Sequence, residues 1–178
     1  QLIKKLVVEE NHQWPKRKKI KSLVEEENRK KDIVKWISNV IGKKHKASGI
    51  APCPFANKVI KDKTYEIIKA KTDLAKQVAH LCDIIDIFKL DIIIVYCDNT
   101  VIEKNLKKIC NSIQKNKPHT AVMYDHPTNN GLVKGMQFSY QKCPLVMIQP
   151  MKKLKAAQKT LRKKTNWYQI VGNEDMFV

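Results

Sequence analysis

The sequence predicts a single α/β domain with a β-α-β-α-β core, a small, mainly parallel or mixed sheet, and helices packed against it. Three observations predict this class. Ile92 to Cys97 is continuously apolar, the pattern of a strand covered on both faces. Amphipathic segments of helical period lie on either side of that run. The connections between these segments are short, which favours parallel strands joined by helical crossovers. The chain has 178 residues, enough for one domain with its own core.

Residues 1–31 form a charged helical extension ahead of the α/β domain proper at 32–178. The extension contains a basic run, Lys16 to Lys19, and an acidic one, Glu25 to Glu27, with a break at Trp14-Pro15. From Asp32 the pattern is helical. Ile33, Val34, Trp36, Ile37, Val40 and Ile41 share one face, and Gly42 is a fitting stop. A loop leads from Lys43 to Gly49.

Lys63 to Lys71 reads as a strand through Tyr65, Ile67 and Ile68. Thr72-Asp73 caps a helix whose apolar side carries Leu74, Val78, Leu81, Cys82, Ile85 and Phe88. Asp91 to Cys97 is the central strand, and Asp98-Asn99-Thr100 is a turn and cap. Val101 to Lys115 is an amphipathic helix using Ile102, Leu106, Ile109, Cys110 and Ile113, Pro118 ends it, and Thr120 to Tyr124 is a third strand. Asp125 to Lys142 reads as a long irregular segment, with a short strand near Met136 to Tyr140. Met151 to Lys164 is a final helix with a basic outer face. The tail from Thr165 to Val178 carries no clear pattern.

The formal net charge is +18, with 35 basic residues. Only Arg17, Arg29 and Arg162 are arginines, and arginine is the residue favoured for bidentate phosphate and base contacts. The lysine excess fits either the codon usage of an AT-rich genome or a nucleic-acid or other polyanion partner. No apolar run is long enough to cross a bilayer, so no membrane partner is expected. The first residues show no hydrophobic signal core and no Ala-x-Ala site. Gln1 in first position suggests a fragment or a trimmed product. The expectation is a cytoplasmic protein with reduced thiols. The five cysteines are widely spaced and include no CxxC pair, so neither a disulfide framework nor a closed zinc site is indicated. Cys82, Cys97 and Cys110 fall in apolar patterns and read as small buried hydrophobes.

Three segments are candidates for chemistry. In Ala51-Pro52-Cys53-Pro54-Phe55-Ala56 the prolines hold the thiol on a stiff corner. Lys43, Lys44, His45, Lys46 and Lys58 are near in sequence, and positive charge lowers a thiol's pKa. Cys53 is therefore a nucleophile, redox thiol or metal ligand, or else a structural corner whose Phe55 plugs the core. In the second segment, Tyr124 to Gly131, Asp125 and His126 follow a strand and could form an oriented acid/base pair, with Asn129 a polar contact. Adjacent residues leave a strand on opposite faces, so that pairing needs a bend. The alternative is an ordinary turn. The third is Cys143-Pro144, which with Cys53 and His126 could complete a Cys/His/Cys metal set. No phosphate-binding glycine loop, GxSxG elbow, HExxH helix or deaminase motif occurs. The sequence leaves the identity of any cofactor unknown.

The helix face Trp36-Ile37-x-x-Val40-Ile41 followed by Cys53-Pro54-Phe55-Ala56 resembles an uncharacterised bacterial family with a Cys-Pro-Phe-Ala motif. The likeness covers roughly residues 32–165. Tyr124-Asp125-His126-Pro127 and Cys143-Pro144-Leu145 resemble its later His-Pro and Ser-Pro segments, with cysteine in place of the serine. The Asn-Arg-Ser-Pro-Tyr-Pro and Leu-Leu-Arg-Glu signatures of that family are not reproduced. The resemblance implies an α/β domain with a shared site region and no particular reaction. Taken together, the expectation is a small enzyme or ligand-binding domain that gathers Cys53, Asp125, His126 and Asn129. The alternatives are a basic nucleic-acid or polyanion-binding module, or a subunit of an assembly that docks through its charged N-terminal arm.

Overall fold

The computed structural model describes residues 17–46, 48–129, 132, 133 and 135–171. The Trp14-Pro15 break and residues 172–178 of the tail lie outside them. Helix α1 (Arg17–Trp36) runs unbroken through the boundary expected at Asp32 and continues as a π turn, Ile37–Ile41. Its buried stripe includes Ile33 and Ile37. The Gly42 N–H closes the turn on the Ile37 carbonyl at 2.7 Å. A Cβ at Gly42 would overlap the Asn57 side chain, whose amide donates to the Gly42 carbonyl at 2.9 Å. A side chain there would displace the Asn57 amide from this hydrogen bond.

The remaining elements are α2 (Ala56–Asp62), β1 (Tyr65–Lys69), α3 (Leu74–Ile84), β2 (Ile92–Tyr96), α4 (Glu103–Asn116), β3 (Thr120–Asp125), β4 (Leu132–Val133), β5 (Met136–Gln137), β6 (Leu145–Pro150), α5 (Met151–Lys164) and α6 (Trp167–Val171). Asp73 caps α3 by accepting the Lys76 N–H at 3.0 Å. The apolar face expected for α3 is buried through Ile85, but Phe88 is 65% exposed. The helix closes at Ile84 and the chain leaves it in turns, with Lys89 in the left-handed region at φ 55°. Those turns carry Phe88 off the helical face.

The main sheet has the order β1-β2-β6-β3. β1 and β2 are parallel, and β6 is antiparallel to both β2 and β3, so β1, β2 and β3 point the same way. The fold is thus α/β with a mixed four-stranded sheet. The β-α-β-α-β pattern expected from sequence lacks β6. The Leu145-Val146-Met147-Ile148 run of that strand returns through the chain reversal at 126–144 and inserts between β2 and β3. β4 and β5 form a small hairpin within that reversal.

Alternate residues of the strands feed two cores. On one face Ile93, Val95, Val122, Val146 and Ile148 pack with Val78 and Cys82 of α3 and with Leu106 and Cys110 of α4. On the other, Ile67, Ile94, Tyr96 and Leu145 pack with Ile33, Ile37, Ala56 and Tyr140. A third cluster joins Leu161, Trp167 and Tyr168 to Ile50, Phe55 and Phe138. Among the described residues no helix is long and apolar enough to cross a membrane.

Candidate functional site

The prolines around Cys53 make a docking corner. The Cys53 N–H donates to the Ile41 carbonyl at 2.8 Å, and the Trp167 indole donates to the Ala51 carbonyl at 2.8 Å. Phe55 is the N-cap residue of α2 and packs in the third cluster. Cys53 itself packs against the α1 side of the core. Burial pushes its thiol up, offset in part by hydrogen bonding to the Phe55 and Ala56 backbone. This reverses the direction expected from the neighbouring lysines. Lys43, Lys44 and Lys46 are exposed, and the thiolate is the disfavoured form.

Asp125 and His126 diverge at the end of β3. Asp125 is buried and accepts the Tyr140 N–H at 2.6 Å. Burial pushes its carboxyl up, against hydrogen bonds from Tyr140, Ser139 and the His126 backbone. The His126 ring turns toward α4. Its Nε2 lies 3.0 Å from the Val101 carbonyl, and Nδ1 accepts the Thr128 N–H at 3.2 Å. Thr128 in turn donates its hydroxyl to Glu103 at 2.6 Å. The expected acid/base pair is therefore not made through the imidazole, for the stereochemical reason that successive strand residues face opposite ways. The Asn129 N–H donates to the His126 carbonyl at 2.9 Å, closing the turn.

Cys143 is buried just before β6, and burial raises its thiol to about 11. Among the described residues no group of three His, Cys, Asp or Glu side chains could hold a metal ion, so Cys53, His126 and Cys143 do not converge on one. His126 and Thr128 line an open groove with Asn99 to Lys104 at the start of α4, and Cys53 is not part of it.

A second cleft, of about 200 Å³, opens at the carboxyl ends of β1 and β2, where ligands gather in open α/β sheets. Lys69, Tyr96, Cys97, Asp98, Asn99 and Cys143 line it from the sheet, and α1 contributes Ser22, Glu25, Glu26 and Arg29. Tyr96 is only 5% exposed, yet among the described residues its hydroxyl has no hydrogen-bond partner. Burial pushes that hydroxyl up to about 12, and Glu26, Arg29, Cys143 and Asp98 also act on it. All four line the cleft.

Arg29 is held from behind. Tyr140 stabilises the charged guanidinium and donates its own hydroxyl to Asp32 at 2.7 Å. Lys142 bridges both Asp32 oxygens at 2.9 Å. Trp36 packs on the Tyr140 ring at 5.4 Å between centroids. Sequence reasoning does not single out Tyr96, Arg29 or Asp98. Two signals are visible in the chain: a polar-tipped aromatic closes the apolar run of β2, and an aspartate stands two residues beyond it.

No protein-family model, no curated protein and no solved structure matches the chain.

Proposed function

We propose that this chain is a small-molecule-binding α/β domain whose ligand occupies the cleft between α1 and the exits of β1 and β2. The unpartnered Tyr96 hydroxyl carries this reading. A buried polar group without a partner costs about 1–3 kcal/mol. The hydroxyl is closed off from solvent in this structure, and a ligand acceptor admitted to it from the cleft would recover that cost. Arg29, braced by Tyr140, offers the remaining donors of its fork to the same space. The Cys/His site expected from the sequence gives way in this proposal to Tyr96, Arg29 and Asp98, with Cys53 and His126 as framework. The likeness to the Cys-Pro-Phe-Ala family is then a likeness of that framework, centred on the corner that docks α2.

The test is a thermal-shift panel of small carboxylic acids, amines, amino acids and phosphate esters, run on the wild type and on Tyr96→Phe. At least one class should raise the Tm of the wild type and lose that effect in the variant. A panel with no Tyr96-dependent shift overturns the reading.

A second reading, binding of a nucleic acid, has one observation in its favour. Helix α5 contains seven basic residues and no acidic one. Lys152, Lys155, Lys159 and Lys163 are exposed at spacings of three and four, a single helical stripe. Retention of a DNA oligonucleotide at about 50 mM salt, lost by about 200 mM, is the expected signature. Failure to bind at the lower salt removes this reading.

A further inference from the structure

The charges around the cleft are of both signs, and they are not equally free. Of its anions, Glu25 and Glu26 have ion-pair partners on their own helix, Lys21 at 4.0 Å and Lys30 at 3.2 Å. Among the described residues Asp98 has none. Of its cations, Lys69 is exposed at the end of β1, whereas Arg29 is half-buried and oriented by Tyr140. Asp32, the nearby carboxylate on α1, already accepts from Tyr140 and Lys142. Asp32 and Arg29 also act on each other electrostatically, and Arg29 lines the cleft.

Tyr96 and Asp98 are two residues apart at the exit of β2, the repeat that returns side chains to one face of a strand. The lining of the cleft thus includes a buried neutral donor, a guanidinium and, just beyond the end of β2, an exposed carboxylate. The cleft's volume of about 200 Å³ equals that of roughly seven waters at about 30 Å³ each. That is room for a small metabolite.

We propose that the ligand is a small zwitterion, a free α-amino acid or a close analogue, with its carboxylate on Tyr96 and Arg29 and its ammonium on Asp98. The inference rests on the reading of this cleft as the ligand site and adds the ligand's chemical class. A carboxylate satisfies the orphan hydroxyl and takes the guanidinium's parallel donors. The ammonium supplies the counter-charge that Asp98 lacks. A monoanion would leave Asp98 unpaired, and a monoamine would leave both Tyr96 and Arg29 without an acceptor.

The experiment begins with the twenty L-amino acids on the wild-type chain by calorimetry. The best binder is then compared with its decarboxylated amine and its deaminated acid, and inorganic phosphate serves as an anion control. Both truncated compounds should bind at least about tenfold more weakly, the usual loss when a charged hydrogen bond is removed. Tyr96→Phe and Asp98→Asn should each weaken the amino acid by about the same factor. Asp98 is exposed, so its variant keeps the test valid should Tyr96→Phe fold poorly. Equal or tighter binding of the amine, the acid or phosphate, still dependent on Tyr96, overturns the zwitterion and leaves the cleft as a site. Absence of Tyr96-dependent binding in every class overturns both.

Discussion

The exits of β2 and β3 flank β6 in the same register row, since Tyr96 and Asp125 both pair with Leu145. Their polar groups are treated in opposite ways. At β3 the polar groups are engaged: Asp125 takes the Tyr140 N–H, and the His126 ring joins Val101 to Thr128. At β2 the Tyr96 hydroxyl is just as deeply placed and has no partner among the described residues. Satisfied polar groups hold a fold together, whereas an unsatisfied one marks a place where something else can bind.

The largest expected effect comes from emptying the satisfied side. Asp125→Ala strands the buried Tyr140 N–H and removes the anchor of the 139–140 segment. Urea unfolding should show a loss of about 3 kcal/mol. A loss below about 1 kcal/mol would mean that Asp125 is not framework, and would return it to candidacy as a site residue. His126→Ala should cost less, about 1–2 kcal/mol, because the Val101 carbonyl and Thr128 N–H lie near the groove, where water can replace the ring. Tyr96→Phe should break the pattern: it removes a hydroxyl with no partner, so unfolding stability should be unchanged or rise by about 1 kcal/mol. A clear destabilisation would erase the contrast between the two exits.

The smallest effect lies behind the cleft, and its sign separates two carboxylates. Hydrogen bonds from Tyr140 and Lys142 hold the Asp32 carboxyl below the usual carboxylate range. Its contribution is present above the unfolded carboxylate pKa of about 4 and is lost as pH falls through the lower, folded value. Asp125 is displaced upward, so the folded state binds its proton more tightly than the unfolded chain does. Its contribution therefore declines as pH rises from about 4 through the folded value. Asp32→Asn should lower stability at neutral pH by about 0.5 kcal/mol, since the Lys142 pair is substantially exposed, and should flatten the acid limb below about pH 4. Stability measured against pH in urea checks both slopes. A steeper acid limb in Asp32→Asn would contradict the assignment.

Much of the frame was legible because it depends on local period. The burial of Val78, Leu81 and Cys82 on α3 follows from helical spacing, and that of Leu106, Cys110 and Ile113 on α4 does too, whereas Ile102, expected on the same face, precedes the helix and is exposed. Ile93, Ile94 and Val95 are buried on both faces of β2, as their unbroken apolar run implies. Asp73 caps α3 where a short polar acceptor precedes the helical pattern. Phe88 escaped the period because the helix ends before it.

The candidate site was less legible, since its parts come from distant stretches. Arg29 lies in a charged segment whose period alone cannot say which charges face a cleft. Asp125 and His126 are neighbours in sequence and face different partners in space. Residue pattern alone specifies the helices, the central strand and the apolar surroundings of Cys82, Cys97 and Cys110, because each follows from an order of residues within a few turns or one strand. Long-range packing was needed to place β6 antiparallel between β2 and β3, and to raise the Cys53 thiol where its lysine neighbours imply the reverse. The same holds for the meeting of Tyr96, Arg29 and Asp98 at one cleft. Strand pairing, desolvation and the convergence of polar groups depend on contacts between residues far apart in the chain, and no local pattern encodes them.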